Sequence, residues 1–320
     1  MEKFNARILS RLGQSGSIFG LSLMEQKNIY PIKVLSADMS VVAGLDRYKK
    51  SFPENFYNVG IAEQNLIGLS AGIASEGYKA IAVAQGCFLS MRSFEQIRQY
   101  LGYMRHNVIC VGINSGFSLT FFGNTHYAIE DLSLMRSIPG MTILSPADAG
   151  EAVKAFENAL TMDSPVYIRI CGSLNCPIVY KEDFDFQIGK ANILKEGTDI
   201  TVFATGLMVN NALKAAEIIE SAGFSVRVVD MHTIKPIDKE IINQSLNSKL
   251  LVSVEEHNTL GGLGSAIAEV LSETHNTPVL LRLGVQDCFM PVGDYQYLLE
   301  QTRLLPEQIA EDILLKINNL

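Results

Sequence analysis

Asn58-Val59-Gly60-Ile61-Ala62-Glu63-Gln64-Asn65, running on as Leu66-Ile67-Gly68-Leu69-Ser70-Ala71-Gly72, decides how the rest of the sequence is read. It sets one carboxylate, Glu63, at the start of an apolar helix spaced with glycines. A charge in so apolar a segment is costly to bury unless something pairs with it. Taken alone, an acidic residue at a helix N-terminus is commonplace, because the helix dipole favours it there. The small residues Gly68, Ala71 and Gly72 shift the balance, since they let a helix or a flat ligand approach closely. Glu63 then reads as a buried carboxylate facing a nitrogen heterocycle.

On both sides of this helix, apolar runs of strand length alternate with segments of helical period. Strands are predicted at residues 32–37, 79–84, 107–113, 141–144 and 166–170, with a second series at 199–204, 225–230, 249–254 and 279–283. Helices are predicted at 63–75, 91–104, 129–136 and 149–160, then at 209–222, 238–246, 264–273 and 306–317. Continuous apolar strands belong to a parallel sheet covered on both faces. The alternation gives an α/β class, with two doubly wound, mainly parallel-sheet domains. The pattern breaks between Gly172 and Gly197, where Asn175-Cys176-Pro177 and the acidic stretch 181–185 read as a connection. The expected division is a first domain at 1–180, a linker at 181–195 and a second domain at 196–320.

The 320 residues are 48% hydrophobic and carry a net charge of −8, enough chain for two cores. No basic stripe runs along any helix, so neither nucleic acid nor an anionic membrane is an expected partner. No window of 18 uninterrupted apolar residues marks a membrane span. The first residues lack the long apolar core of a signal peptide, and a cytoplasmic protein is expected. Cys87, Cys110, Cys171, Cys176 and Cys288 form no C-x-x-C and are odd in number. They read as buried thiols in a reducing compartment, not as disulfides or metal ligands.

Two further stretches carry candidate chemistry. Gly86-Cys87-Phe88-Leu89-Ser90-Met91-Arg92-Ser93-Phe94 follows a strand and opens a helix. Phe88 and Phe94 are spaced to frame one cavity. A pair of core aromatics is the commoner meaning of such spacing. Yet an aromatic at the C-terminal end of a strand also lies where open α/β sheets hold ligands. The loop 114–127 contains Gly123-Asn124-Thr125-His126 and shows neither helical nor strand period. A histidine in a polar glycine turn before a helix is a candidate functional group. Gly261-Gly262-Leu263-Gly264 resembles a dinucleotide loop only superficially, because Ile267 occupies the last position of G-x-G-x-x-G/A. These glycines read as a tight strand-to-helix turn.

In this order the pieces resemble the C-terminal half of transketolase-type thiamine diphosphate enzymes. Val59–Asn65 matches the cofactor-activating helix, Cys87-Phe88-Leu89 the stacking segment and Gly123-Asn124-Thr125-His126 the substrate loop, with Asn124 where proline is usual. Met231-His232-Thr233-Ile234-Lys235-Pro236-Ile237-Asp238 and residues 255–264 are similar to the C-terminal domain, above all in the deoxyxylulose-phosphate synthase branch. The resemblance implies a thiamine pyrimidine-binding domain followed by a transketolase C-terminal-like domain. It implies Glu63 and His126 as catalytic residues, with Glu63, Phe88, Phe94, Asp38, Met39 and Ile61 against the cofactor. His126, Asn114 and Arg92 would meet the substrate.

The family's diphosphate and Mg²⁺ site needs a Gly-Asp-Gly sequence. Here Gly293-Asp294 is followed by Tyr295. The resemblance is therefore to the C-terminal subunit of a split transketolase. Thiamine diphosphate would be shared with an N-terminal partner subunit that holds the Mg²⁺. Homodimerisation through both domains of this chain would give a heterotetramer. The implied reaction moves a two-carbon ketol unit from a ketose to an aldehyde or keto-sugar acceptor.

The family's phosphate grip uses two arginines, a serine and a histidine. The corresponding positions hold Ser15, Val42, Asn114 and Ile170-Cys171-Gly172, and Phe122 replaces an acidic residue. Small or apolar residues do not replace charged forks on a phosphate. The expected substrate is a non-standard sugar, nucleotide-linked or non-phosphorylated. Arg92 and Arg169 are the cations that would speak against this. Alternatives are the β subunit of a 2-oxoacid dehydrogenase E1 component and a non-catalytic assembly subunit.

Overall fold

The computed structural model describes residues 4–172 and 174–320. Its strands are β1 (Ile32–Ser36), β2 (Phe56–Asn58), β3 (Lys79–Gln85), β4 (Val108–Ser115), β5 (Thr142–Leu144) and β6 (Val166–Cys171), then β7 (Asn192–Lys195), β8 (Ile200–Ala204), β9 (Val226–Asp230), β10 (Thr233–Lys235), β11 (Leu250–Asn258) and β12 (Val279–Val285). They form a seven-stranded sheet in the order β10-β5-β6-β4-β3-β1-β2 and a five-stranded sheet in the order β12-β11-β8-β9-β7. Pairing is parallel except where β10 meets β5 and β7 meets β9. The expected class, two mainly parallel-sheet α/β units, is the observed one.

Two-residue alternation explains the layers. In β3, Ala80, Ala82 and Ala84 face one apolar layer, while Ile81 and Val83 face the other. Both faces are covered, so the strand reads as a continuous apolar run. The alanine-side layer takes in Leu66, Ile67 and Ala71 of the Glu63–Ser75 helix. It also takes in Phe203, Val229, Leu251 and Ile267 from around the second sheet. A single apolar layer thus joins the two sheets. The Ala149–Thr161 helix closes the far face of the first sheet, and the Met208–Ser221 and Pro306–Ile317 helices close that of the second.

Three short strands were not foreseen. β2, β7 and β10 are too brief to show a period of two. β7 lies inside the stretch expected to be linker and pairs with β9. β10 follows β9 closely but crosses to the first sheet, where Thr233 pairs with Leu144 and Lys235 with Ile143. Lys235 Nζ donates to the carbonyls of Arg136 and Ile138 at 2.8 and 2.6 Å, which pins the crossing.

Helices Glu63–Ser75 and Pro306–Ile317 match their expected limits at both ends. The helix expected at 91–104 instead begins as Gly86–Met91, breaks at Ser93 and resumes as Phe94–Gln96 and a more widely wound Ile97–Tyr103. An unforeseen helix, Ala6–Ser17, is capped by Asn5 Oδ1, which accepts from Ile8 N, and kinks at Gly13 with φ of 68°. Cys87, Cys110, Cys171 and Cys176 are buried as expected; Cys288 is exposed, which corrects the reading for that thiol. Among the described residues no helix is long and apolar enough to cross a membrane.

The parallel strands of the first sheet all end on one rim. β1 lies between β2 and β3, so the chain leaves β1 and β3 in opposite directions. That reversal opens the crevice in which such sheets hold ligands.

Candidate active site

The crevice is framed by a polar clip between the ends of β1 and β2. Asn58 Oδ1 accepts from Asp38 N at 3.0 Å and from Gly60 N at 3.1 Å, while Asn58 Nδ2 donates to Asp38 Oδ1 at 3.0 Å. Asp38 takes a left-handed φ of 59°, a conformation that Asp tolerates better than most residues. The clip aims the chain through Gly60, at φ of 75°, into the Glu63 helix. Sequence reading missed Asn58 as a participant, although it stands first in the decisive stretch. Ile61 projects outward, 75% exposed. Met39, its N–H held by Ser36 Oγ, packs partly buried on the opposite apolar layer.

Glu63 is buried, with its side chain 3% exposed. Arg92 Nη1 donates to Glu63 Oε2 at 2.7 Å, and the same guanidinium lies 4.2 Å from the centre of the Phe88 ring. Gln64 Nε2 donates to the Arg92 carbonyl at 3.2 Å, tying the two helix starts together. The carboxylate has four lone-pair sites, and Arg92 is its one described hydrogen-bond partner. It therefore has acceptor capacity left.

Phe88 packs edge-on against His126, with centroids 5.2 Å apart, and Phe122 tilts against the other side of that imidazole at 4.9 Å. His126 Nδ1 lies 2.8 Å from Thr125 Oγ1, which orients the ring. Nε2 has no hydrogen-bond partner among the described residues. The structure thus brings Glu63, Arg92, Phe88 and His126 into one contiguous set. Thr125 belongs to it as well, and its place beside His126 in the glycine turn is the signal that would have found it. Phe94 lies apart from these ring contacts, packed against the layer that holds Leu66 and Ile97. The helix break at Ser93 removes the regular spacing that would have paired it with Phe88. Burial pushes the Cys87 thiol up to about 12, so it is no nucleophile at neutral pH.

The loop carrying His126 is anchored by the second unit. Gly116 and Ala128 close it with paired hydrogen bonds. Asn124 Nδ2 donates to the Met290 carbonyl at 2.7 Å and Asn124 Oδ1 accepts from Met290 N at 2.9 Å. Glu256 Oε1 accepts from Phe117 N at 2.5 Å.

Behind this loop lies a buried polar knot. Arg169 Nε donates to Asp131 at 2.9 Å, Nη1 to Cys171 Sγ at 3.1 Å, and Nη2 to the carbonyls of Ala128 and Glu256 at 2.9 Å each. Tyr167 Oη donates to Asp131 at 2.8 Å. Arg169 is therefore withdrawn as a substrate cation, because it is buried and committed to holding the two units together. Glu255 accepts from Leu263 N and Gly264 N at 2.7 and 2.8 Å, and Gly262 leaves room for that carboxylate. The glycine run is the strand-to-helix turn it was read to be.

A cavity of about 350 Å³ opens on the rim of the first sheet, lined by Ser15, Val42, Asn114 and Gly172 among others. These are the positions set against the phosphate grip. Asn114 has a left-handed φ of 52° and a buried Nδ2 without a partner. Such a donor costs about 1–3 kcal/mol to leave unmade.

Comparison with known proteins adds a family context. Residues 23–176 match the model of the transketolase pyrimidine binding domain and residues 189–309 that of the transketolase C-terminal domain. A putative transketolase C-terminal section from Methanocaldococcus jannaschii is 38% identical over 92% of this chain and 94% of that protein. A 6-deoxy-6-sulfo-D-fructose transketolase subunit from a Clostridium species is 39% identical over 87% of this chain and 86% of that one. The solved structure of a split gene transketolase, an inactive β4 tetramer, superposes with a TM-score of 0.85 at 38% identity, covering 95% of this chain and 98% of the other.

Proposed function

Because the chain belongs to the transketolase family, we propose that it is the C-terminal subunit of a heteromeric, thiamine diphosphate-dependent transketolase, transferring a two-carbon ketol unit from a ketose to an aldehyde or keto-sugar acceptor. One observation carries this reading. The chain spans nearly the full length of relatives that are themselves named as a section or subunit of a transketolase. The relatives' names favour no 2-oxoacid dehydrogenase.

The residues present fit the aminopyrimidine end of the cofactor. Glu63 is buried yet under-partnered, and Phe88 offers a ring face beside it. Among the described residues no three His, Cys, Asp or Glu side chains are grouped to hold a metal. The diphosphate and its Mg²⁺ belong, in this proposal, to an N-terminal partner subunit. When bound, thiamine diphosphate would supply the electron sink that two-carbon transfer needs. Glu63 accepts a hydrogen bond from the pyrimidine ring and so holds it in the form that moves a proton, a bond strengthened by burial. Arg92 stays on Glu63 Oε2 while the other carboxylate oxygen takes this bond, and the exposed part of its guanidinium would meet oxygens at the reacting end of the substrate. His126, oriented by Thr125, directs Nε2 at those oxygens and transfers protons there. Phe88 shields the ring from water, with Asp38, Met39, Ile61 and Phe94 supporting the cofactor more remotely.

Exposed Ile61, Met91, Phe121 and Phe122 rim the crevice, a surface that the partner subunit would cover. Gly72, on the outward face of the Glu63 helix, would admit a close second copy, giving a heterotetramer. The division at 1–180, 181–195 and 196–320 and a cytoplasmic location remain part of this proposal. Mixing the chain with an N-terminal transketolase subunit, thiamine diphosphate, Mg²⁺ and a ketose donor tests it. Ketol transfer that disappears in Glu63→Ala is the expected result. Undiminished turnover by that variant with cofactor bound would refute it.

A further inference from the structure

Two cavities on the rim of the first sheet remain beyond what Glu63 and Phe88 explain. The first, of about 350 Å³, is lined by Ser15, Val42 and Asn114. The second, of about 460 Å³, is lined by Ser118, Cys176 and Tyr295. Gly172 and Leu174 line both, so the chambers adjoin. Their walls come from the end of β4, the segments that follow β1, β4 and β6, the Ala6–Ser17 helix, and Leu207 and Tyr295 of the second unit. No described lining residue of either chamber is a Lys, Arg, His, Asp or Glu.

The polar groups there differ in what they have left to offer. Gln14 is tied at both ends of its amide, Nε2 to the Pro146 carbonyl at 2.7 Å and Oε1 to Cys171 N at 2.9 Å. Ser118 Oγ donates to the Ser115 carbonyl and accepts from Gly172 N. Ser15 Oγ donates to the Ala43 carbonyl at 3.0 Å and keeps acceptor capacity. Asn114 is the exception, with a buried Nδ2 that has no partner and a left-handed backbone. Strain and an unmet buried donor at the end of a strand point to a ligand group supplied from outside.

We infer that these chambers receive the distal end of the sugar substrate, and that the end they take is neutral and hydroxylated, not a phosphate or another anion. This rests on the transketolase reading and narrows its substrate class. An anion entering here would lose its water and meet no cation in return. A hydroxyl would find a donor in Asn114 Nδ2 and an acceptor in Ser15 Oγ, with Val42 and Leu174 against the carbon chain. Arg92, the half-exposed cation of the site, is held by Glu63 and Phe88 and lines neither chamber.

The test uses the reconstituted two-subunit complex with thiamine diphosphate and Mg²⁺. Donor cleavage is followed without acceptor, then kcat/KM is measured for D-ribose against D-ribose 5-phosphate and D-glyceraldehyde against its 3-phosphate. The neutral member of each pair is expected to be preferred roughly tenfold or more. Val42→Arg, at an exposed side chain, is expected to shift the ratio roughly tenfold toward the phosphate esters. Asn114→Ala is expected to raise KM for the neutral acceptor several-fold with a smaller fall in kcat. A wild-type preference for the esters, or an unmoved ratio in Val42→Arg and unmoved KM in Asn114→Ala, overturns the inference and leaves the transketolase reading intact. Failure of donor cleavage with cofactor bound overturns both.

Discussion

Glu63, beyond the end of β2, and Glu255-Glu256, within β11, are buried carboxylates serving the two sheets, but they differ in company. Glu63 keeps one described partner, the half-exposed Arg92. Glu255 caps a helix through two backbone N–H groups, and Glu256 accepts from Phe117 N and from Tyr295 Oη at 2.5 Å. Burial raises the Glu255 carboxyl to about 7, and it lowers the His257 imidazole to about 4. Burial alone therefore does not mark a working group. What separates the two sets is how the oxygens are shared out: a buried carboxylate with both oxygens bonded within the chain holds the fold, and one with an oxygen left over can take a ligand.

The sharpest way to break this comparison is to alter Glu63. Glu63→Gln should cut ketol transfer about 10²–10⁴-fold, while urea unfolding shifts by no more than about 1 kcal/mol, since Arg92 is partly solvated. A stability loss larger than that would place Glu63 among the structural carboxylates. Arg169→Met is the converse. It leaves Asp131 buried and unpaired and should destabilise by about 3–5 kcal/mol, measured by chemical denaturation with cofactor absent.

Titration sharpens the contrast further. Asp230, at the end of β9, accepts from Tyr180 Oη at 2.8 Å, and burial holds its carboxyl at about 7. Being raised, it binds a proton in the folded state that the unfolded chain releases near pH 4. Its contribution is therefore full below pH 4 and is lost as pH rises to about 7, at around 1 kcal/mol per pH unit. Glu151, buried beside Asp230, is raised as well and titrates with it as a pair, so Asp230→Asn should flatten the slope without abolishing it, and unfolding midpoints of the variant and parent converge or cross between pH 4 and 7. Parallel curves would show that Asp230 is already ionised in the fold. The smallest effect is expected at Thr125→Val, which frees the His126 ring. A several-fold fall in kcat/KM, worth about 1 kcal/mol, with no change in Tm would place Thr125 as an orienting residue.

Much of this was legible from local chemistry. The Glu63 helix was read correctly at both ends, because its apolar spacing and preceding glycine are local signals. The glycine turn with His126 and the strand-to-helix turn at Gly261–Gly264 were readable for the same reason. Arg169 was not, because its partners Ala128, Asp131 and Glu256 come from distant parts of the chain. Phe94 was paired with Phe88 on an unbroken helix that the structure interrupts. Asn114 could be seen as an uncharged substitution, but its stranded amide and backbone strain appear only once β4 and its neighbours are assembled.

β10 carries a consequence for how the protein is made. Its three residues complete the edge of the first sheet from a segment that follows most of the second sheet's early strands. During synthesis, β5 has its outer edge open until Thr233–Lys235 has emerged and crossed back. An open strand edge is a template for the wrong chain. The newborn first unit thus passes through an interval of self-association risk that ends only after the first three strands of the second sheet have been made. Cutting the chain between the units would make that interval permanent.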